Sequence, residues 1–339
     1  MYARLVAAAV LAVGSLGLVS TASALELRLS VETPPSHVRN QAAQRWADEV
    51  AKLTNGDVTI TVFPSAQLYD SAGAVKALAS GALDLSIQSS NTMGQFEPNL
   101  TIAGLPMFFG ATREQLRAIL DGPLGDELYE MVHSKLQIRV VGPHFEFAPN
   151  ETAYTTKKKI TSYADLEGVK LATPPSPTIV AILRTIGANA VATPRNEIEL
   201  QLTQGTIDGL GLVTDLTISG GKLWDAGIKY GWHDDAGWGF YIPLVSQATW
   251  DKLTADQQKA LTDGWKTASD WAREQTKTDL DAAIDVNKSH GIEFSFPSAE
   301  DLAATREKLL AAQGEIVDST RMDADFVGKV QARLKELQN

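Results

Sequence analysis

Four side chains, Glu32, Glu146, Asp215 and Trp238, fall at the ends of predicted strands. Glu32 follows the first strand. Glu146, between Phe145 and Phe147, follows the strand at Val140. Asp215 follows a strand that stops at Val213, and Trp238 opens a late one. Ser89 and Ser90 close the third strand. A carboxylate beside an aromatic face is a common way to hold an ammonium group. Each of these residues, taken singly, is more often an ordinary surface acid or a core aromatic.

Other chemistry is sparse. His233-Asp234-Asp235 could serve a metal or an acid–base pair, but it reads as a solvated turn between Trp232 and the next strand. The remaining histidines, His37, His133, His144 and His290, are scattered. There is no P-loop signature and no H-E-x-x-H, and Gly209-Leu210-Gly211 lacks the third glycine of a dinucleotide fingerprint. The absence of cysteine excludes disulfides, thiolate metal sites and cysteine nucleophiles. No metal and no cofactor are expected. An enzyme is the rival class, because acid–base dyads need no proximity in sequence.

The elements that must position these residues form an α/β pattern. Leu25, Leu27, Leu29 and Val31 alternate with polar residues as a first strand, and Pro34-Pro35 ends it. Val38, Ala42, Trp46, Val50 and Leu53 mark the inner face of a helix. Strands follow at 58–62, 83–87 and 138–141. The stretch 165–212 reads as βαβαβ: Pro174, Pro175 and Pro177 break a strand and start a helix, Gly187 ends it, and Gly205 ends the next. A strand pattern runs over 237–246. The longest helical pattern, 254–286, spans about 45 Å with Trp265 and Trp271 on its inner face and Lys266 and Lys277 in water.

An internal repeat is visible. Strand, Pro64, helix, Gly81-Ala82-Leu83-Asp84 and strand are echoed by strand, Pro194, helix, Gly205-Thr206-Ile207-Asp208 and strand. Two like units suggest two lobes, with a ligand in the crevice at the carboxyl ends of the strands. With 339 residues, about two domains are expected. A net charge of −11 argues against nucleic acid, whose phosphates need a basic face. Residues 1–24 read as a signal peptide: Arg4, an apolar run from Leu5 to Val19, and Ala22-Ser23-Ala24 as the cleavage site. No later run is long and apolar enough to span a membrane.

The stretch 165–212 also resembles the solute-binding proteins of tripartite ATP-independent periplasmic (TRAP) transporters. The likeness lies in Asp165-Leu166-Glu167-Gly168-Val169-Lys170, Pro174-Pro175-Ser176-Pro177, Gly187-Ala188-Asn189 and Gln204-Gly205-Thr206-Ile207-Asp208-Gly209, in that order and spacing. Thr54-Asn55-Gly56-Asp57, Gly81-Ala82-Leu83-Asp84 and Leu105-Pro106-Met107-Phe108-Phe109 extend it over the mature chain. The resemblance implies a two-lobed periplasmic binding protein with a long helix spanning both lobes. Lobe I takes 25–146 and about 236–270, and lobe II takes 147–235 and about 271–339. It further implies a monomer in the periplasm that hands a small-molecule ligand to TRAP membrane permease subunits, without catalysis.

Two positions depart from the family's pattern. The arginine that clamps a ligand carboxylate is replaced by Ala172, and the asparagine three residues after Asp-Gly by Leu212. An unpaired buried carboxylate is costly, and the nearby Arg184 and Arg195 look like surface residues. The expected solute is therefore a small amine or amino alcohol, with a carboxylic acid in an altered pose as runner-up. The expected lining is Glu32, Ser89, Glu146, Ala172, Leu212, Asp215 and Trp238.

Overall fold

The computed structural model describes residues 24–338; all but the last residue of the expected leader lies outside them. The strands are β1 (Leu25–Ser30), β2 (Val58–Phe63), β3 (Leu85–Ser89), β4 (Ile138–Val140), β5 (Phe145–Pro149), β6 (Glu151–Thr155), β7 (Lys170–Thr173), β8 (Asn189–Ala192), β9 (Gly209–Val213), β10 (Tyr230–Trp232), β11 (Trp238–Ser246) and β12 (Glu293–Ser295). They form two six-stranded sheets. The first runs β2-β1-β3-β11-β4, with β5 also on β11; the second runs β12-β10-β6-β9-β7-β8. Although β11 follows the second unit in sequence, it pairs antiparallel with β3, β4 and β5 of the first sheet.

The repeat seen in the sequence has a structural cause. Gly81 (φ +74°) and Gly205 (φ +68°) both end a helix in the left-handed conformation that glycine tolerates. Three residues later, Asp84 accepts the backbone N–H of Arg28 on β1 at 2.9 Å, and Asp208 accepts that of Lys170 on β7 at 2.9 Å. In each unit the aspartate ties the helix exit to the parallel strand beside it.

Three connections join the sheets. The first passes through Asn150, between β5 and β6. The second is 233–237, between β10 and β11. These two are laced together: Asn150 N–H donates to Gly237 O at 2.7 Å, and Ala236 N–H donates to Asn150 O at 2.8 Å. The third is the helix Ala255–Ser289, 35 residues and roughly 52 Å long. Thr254 caps it with a reciprocal capping box.

The long helix is held at both ends. Near its start, Trp46 Nε1 donates to Leu261 O at 2.8 Å, and Trp265 Nε1 donates to Pro143 O at 2.7 Å. The two indoles meet edge-on at 5.1 Å. Trp265 is wholly buried, while Trp271 is half-buried beneath Arg45, whose guanidinium stands 4.1 Å over its ring. Lys266 and Lys277 are exposed. Near the other end Ala283 and Asn287 are buried, Asn287 against Asp215, which lies just past the end of β9. The last helix, Ala324–Gln338, lies against Arg113–Leu120 in the part of the chain that carries the first sheet. No helix among the described residues is long and apolar enough to cross a membrane.

Candidate functional site

Where the chain crosses between sheets, acids are buried together. Glu151, the first residue of β6, and Asp234, on the return crossing, are 4% and 8% exposed. Glu151 Oε2 accepts the backbone N–H groups of Asp234 at 2.7 Å and Asp235 at 3.2 Å. Asp234 accepts the Thr152 N–H at 2.9 Å, the Thr152 hydroxyl, and the Tyr163 hydroxyl at 2.7 Å. The run 233–235 is thus not the solvated turn its polarity suggests: the donors that hold Asp234 come from β6 and from Tyr163, far away in sequence.

Asp215 joins this group from the end of β9. Its Oδ1 accepts the Tyr154 hydroxyl at 2.7 Å and the Asn287 amide at 3.1 Å, and its Oδ2 lies 3.0 Å from His233 Nε2. One acceptor atom each from Glu151, Asp215 and His233 falls within 4.8 Å of the others, a spacing that suits a small cation. Burial, then the charges of Asp234 and Asp235, pushes the Glu151 carboxyl well above its usual range. Burial raises Asp234 to about 6 despite the donors that favour its charge, and raises Asp235 as well. Burial and the Asp215 charge push the Tyr154 hydroxyl up. A cavity of about 500 Å³, lined by Phe109, Asp234, Asp235, Leu302, Arg306 and Glu307 among others, opens on the crossing.

The residues expected at the site divide among separate networks. Glu32 pairs with the buried guanidinium of Arg39. Ser89 caps a short helix by accepting Asn91 N–H at 3.3 Å, and Ser90 accepts Phe240 N–H at 3.3 Å. Glu146 is wholly buried, but under arginines: Arg113 donates to it at 3.1 Å, and Arg117 donates through Nε at 3.0 Å and again through Nη2. Trp238 donates its indole N–H to Ala111 O at 2.8 Å and lies 5.6 Å below the Arg113 guanidinium. Ala172 is buried in an apolar cluster with Ile198, Leu202 and Leu210. Leu212 is buried with φ +51°, a conformation asparagine tolerates better than leucine. Of the expected acids, only Asp215 belongs to the buried group at the crossing.

A second network joins the start of the helix Val38–Leu53 to the first sheet. Arg39, 2% exposed, bonds Glu32 and, at 3.4 Å, Ile87 O; it stands 4.8 Å over the Tyr241 ring, and its Nε has no partner among the described residues. Burial opposes its charge, but Glu32 beside it holds its pKa up. His37 stacks on Phe147 at 5.0 Å. Burial, then Arg39, then Arg195 lowers His37 to about 3. The neutral ring accepts Arg39 N–H at 3.0 Å. Glu151, Arg39 and Asn287 were missed in the sequence. The proline break at Pro149, just before Glu151, was the one available signal for a crossing there.

Two α/β lobes joined by paired crossings, with polar groups buried at their junction, define a two-lobed binding protein. The sequence matches the family described as bacterial extracellular solute-binding protein, family 7, over residues 29–319, and the chain belongs to that family. It is similar to a solute-binding protein of Roseobacter denitrificans, 26% identical, covering 87% of this chain and 90% of that one. It is also similar to the 2,3-diketo-L-gulonate-binding periplasmic protein of Escherichia coli, 25% identical over 81% and 82% of the two chains.

Solved structures share the fold. The sugar acid binding protein of Advenella mimigardefordensis, in complex with galactonate, superposes with a TM-score of 0.86 at 20% identity, covering 92% of this chain and 98% of that one. A TRAP periplasmic solute-binding protein of Sulfurospirillum deleyianum with bound succinate gives 0.81 at 23% identity, over 91% and 98%. The resemblance to TRAP solute-binding proteins is borne out, as is the two-lobed fold with its long helix.

Proposed function

We propose that this chain is the periplasmic solute-binding component of a TRAP transporter, and that its solute is a small polar molecule bearing a positive charge, such as an amine or amino alcohol. It works as a monomer that delivers this solute to membrane permease subunits. The family assignment and the fold support the transport role. One observation supports the charge of the solute. Glu151 and Asp234 are buried at the crossing, and no lysine or arginine nitrogen among the described residues lies within 4.0 Å of either. Buried carboxylates without a cation either stay protonated or await one. The apolar surroundings of Ala172 fit the same reading, since no guanidinium reaches the crevice from that strand.

Glu146 and Trp238 are occupied by Arg113, Arg117 and Ala111, so the charge of the solute rests on Glu151, Asp215 and Asp234. A second reading, a small carboxylic acid, has Arg39 behind it: its unpartnered Nε and the nearby Arg195 could take a carboxylate. The galactonate and succinate held by the structural relatives point the same way. Calorimetry separates the two. Under the first reading, short amines bind, dicarboxylates do not, and Glu151→Gln abolishes the amine heat. Tight binding of a dicarboxylate, indifferent to Glu151→Gln and lost in Arg39→Gln, establishes the second.

A further inference from the structure

Asn287 lies on the long helix and is wholly buried. Its Nδ2 donates to Asp215 Oδ1 at 3.1 Å and to the Asp215 backbone oxygen at 3.3 Å. Those two bonds fix the orientation of the amide, because the reverse orientation would set oxygen against carboxylate. The remaining atom, Oδ1, is buried and accepts no hydrogen bond among the described residues. A buried acceptor left empty is costly, and such atoms in folded proteins usually have a donor to meet. The amide stands against a carboxylate that also accepts the Tyr154 hydroxyl through Oδ1 and that gathers with Glu151 and His233.

We infer that Asn287 Oδ1 is the third acceptor of a primary-ammonium subsite whose other two acceptors are the carboxylates of Glu151 and Asp215. The inference rests on the cationic-solute reading above and narrows it. A primary ammonium has three N–H donors at tetrahedral angles. Acceptors about 2.8 Å from the nitrogen then lie about 4.6 Å from one another. The Glu151 and Asp215 oxygens are within 4.8 Å of each other, and the Asn287 amide is in contact with Asp215. His233 and Tyr154 hold Asp215 in place. Each methyl on the nitrogen removes one donor and adds bulk in a packed site. A quaternary ammonium has no N–H to give and needs aromatic faces instead, whereas Tyr154 turns its hydroxyl toward Asp215. A carbonyl and two carboxylates therefore select primary amines over methylated ones.

The test is calorimetry on the purified full chain with 2-aminoethanol, n-propylamine and the mono-, di- and trimethylated forms of 2-aminoethanol. The expected result is affinity that falls with each methyl, the trimethyl form at least about tenfold weaker than the primary amine. Asn287→Leu loses about tenfold for the primary amines and flattens the methyl series. Thermal unfolding of the variant shows whether it is folded, and the wild-type methyl series stands whatever the leucine variant does. If Asn287→Leu binds the primary amines as the wild type does, or the wild type prefers the trimethyl form, the subsite is overturned while the cationic reading survives. If the wild type binds none of these amines, both fall together.

Discussion

Glu151 Oε2 accepts the backbone N–H of Asp234 at 2.7 Å, a bond between residues 83 apart that ties the outgoing crossing to the returning one. Glutamine keeps an acceptor for that N–H and removes the charge that burial disfavours. Glu151→Gln should therefore be as stable as the wild type or more so in thermal unfolding at pH 7. A marked loss of stability would mean that an ionised Glu151 holds the crossings together.

Asp234 gives the folded protein a pH dependence with a definite sign. Its folded pKa is raised to about 6, above the usual aspartate value. Its contribution to stability is complete below about pH 4 and is lost as pH rises through about 6. The shift of about two units corresponds to roughly 3 kcal/mol. Denaturant unfolding of the wild type and Asp234→Asn, at steps from pH 4 to 7, should show the wild type losing up to that amount relative to the variant. A difference that does not change with pH contradicts the raised pKa.

Glu146 should matter to folding and not to the solute. Removing its charge leaves Arg113 and Arg117 facing a buried neutral amide, and breaking a buried pair in this way costs about 3 kcal/mol or more. Glu146→Gln should lower the denaturant midpoint clearly, and once folded it should bind solute as the wild type does. Lost binding at unchanged stability would place Glu146 at the solute instead.

Trp265 tests how the long helix is anchored. It is wholly buried, meets Trp46 edge-on, and donates to Pro143 O. Trp265→Ala should cost roughly 3–5 kcal/mol. A cost below about 1 kcal/mol would show the helix to be peripheral to folding.

How much of this was legible depended on how local the cause was. The repeat could be read because Gly81 with Asp84, and Gly205 with Asp208, each act within one turn and one neighbouring strand. The long helix could be read from its apolar spacing and its Thr254 cap. The site was harder. Glu146 looked like a strand-end acid because the arginines that cover it come from 29 and 33 residues earlier. Asp234 looked wet because Tyr163 and Thr152 reach it from 71 and 82 residues away. Asn287 sits in a helix of ordinary polarity, and nothing local marks the contact with Asp215 72 residues earlier. Leu212 stood out in the sequence, but the left-handed backbone that makes it unusual became visible only in the fold.

The central claim is that the buried acids at the crossing hold a cationic solute. Calorimetric titration of the wild type with 2-aminoethanol, at pH 5 and pH 7.5 and in two buffers of different ionisation enthalpy, tests it most directly. The raised pKa of Asp234, with Glu151 raised beside it, means that a bound cation must displace protons at low pH. Binding should be tighter at pH 7.5, with protons released on binding at pH 5. Absence of amine binding at both values, together with tight binding of a dicarboxylate, would contradict the account.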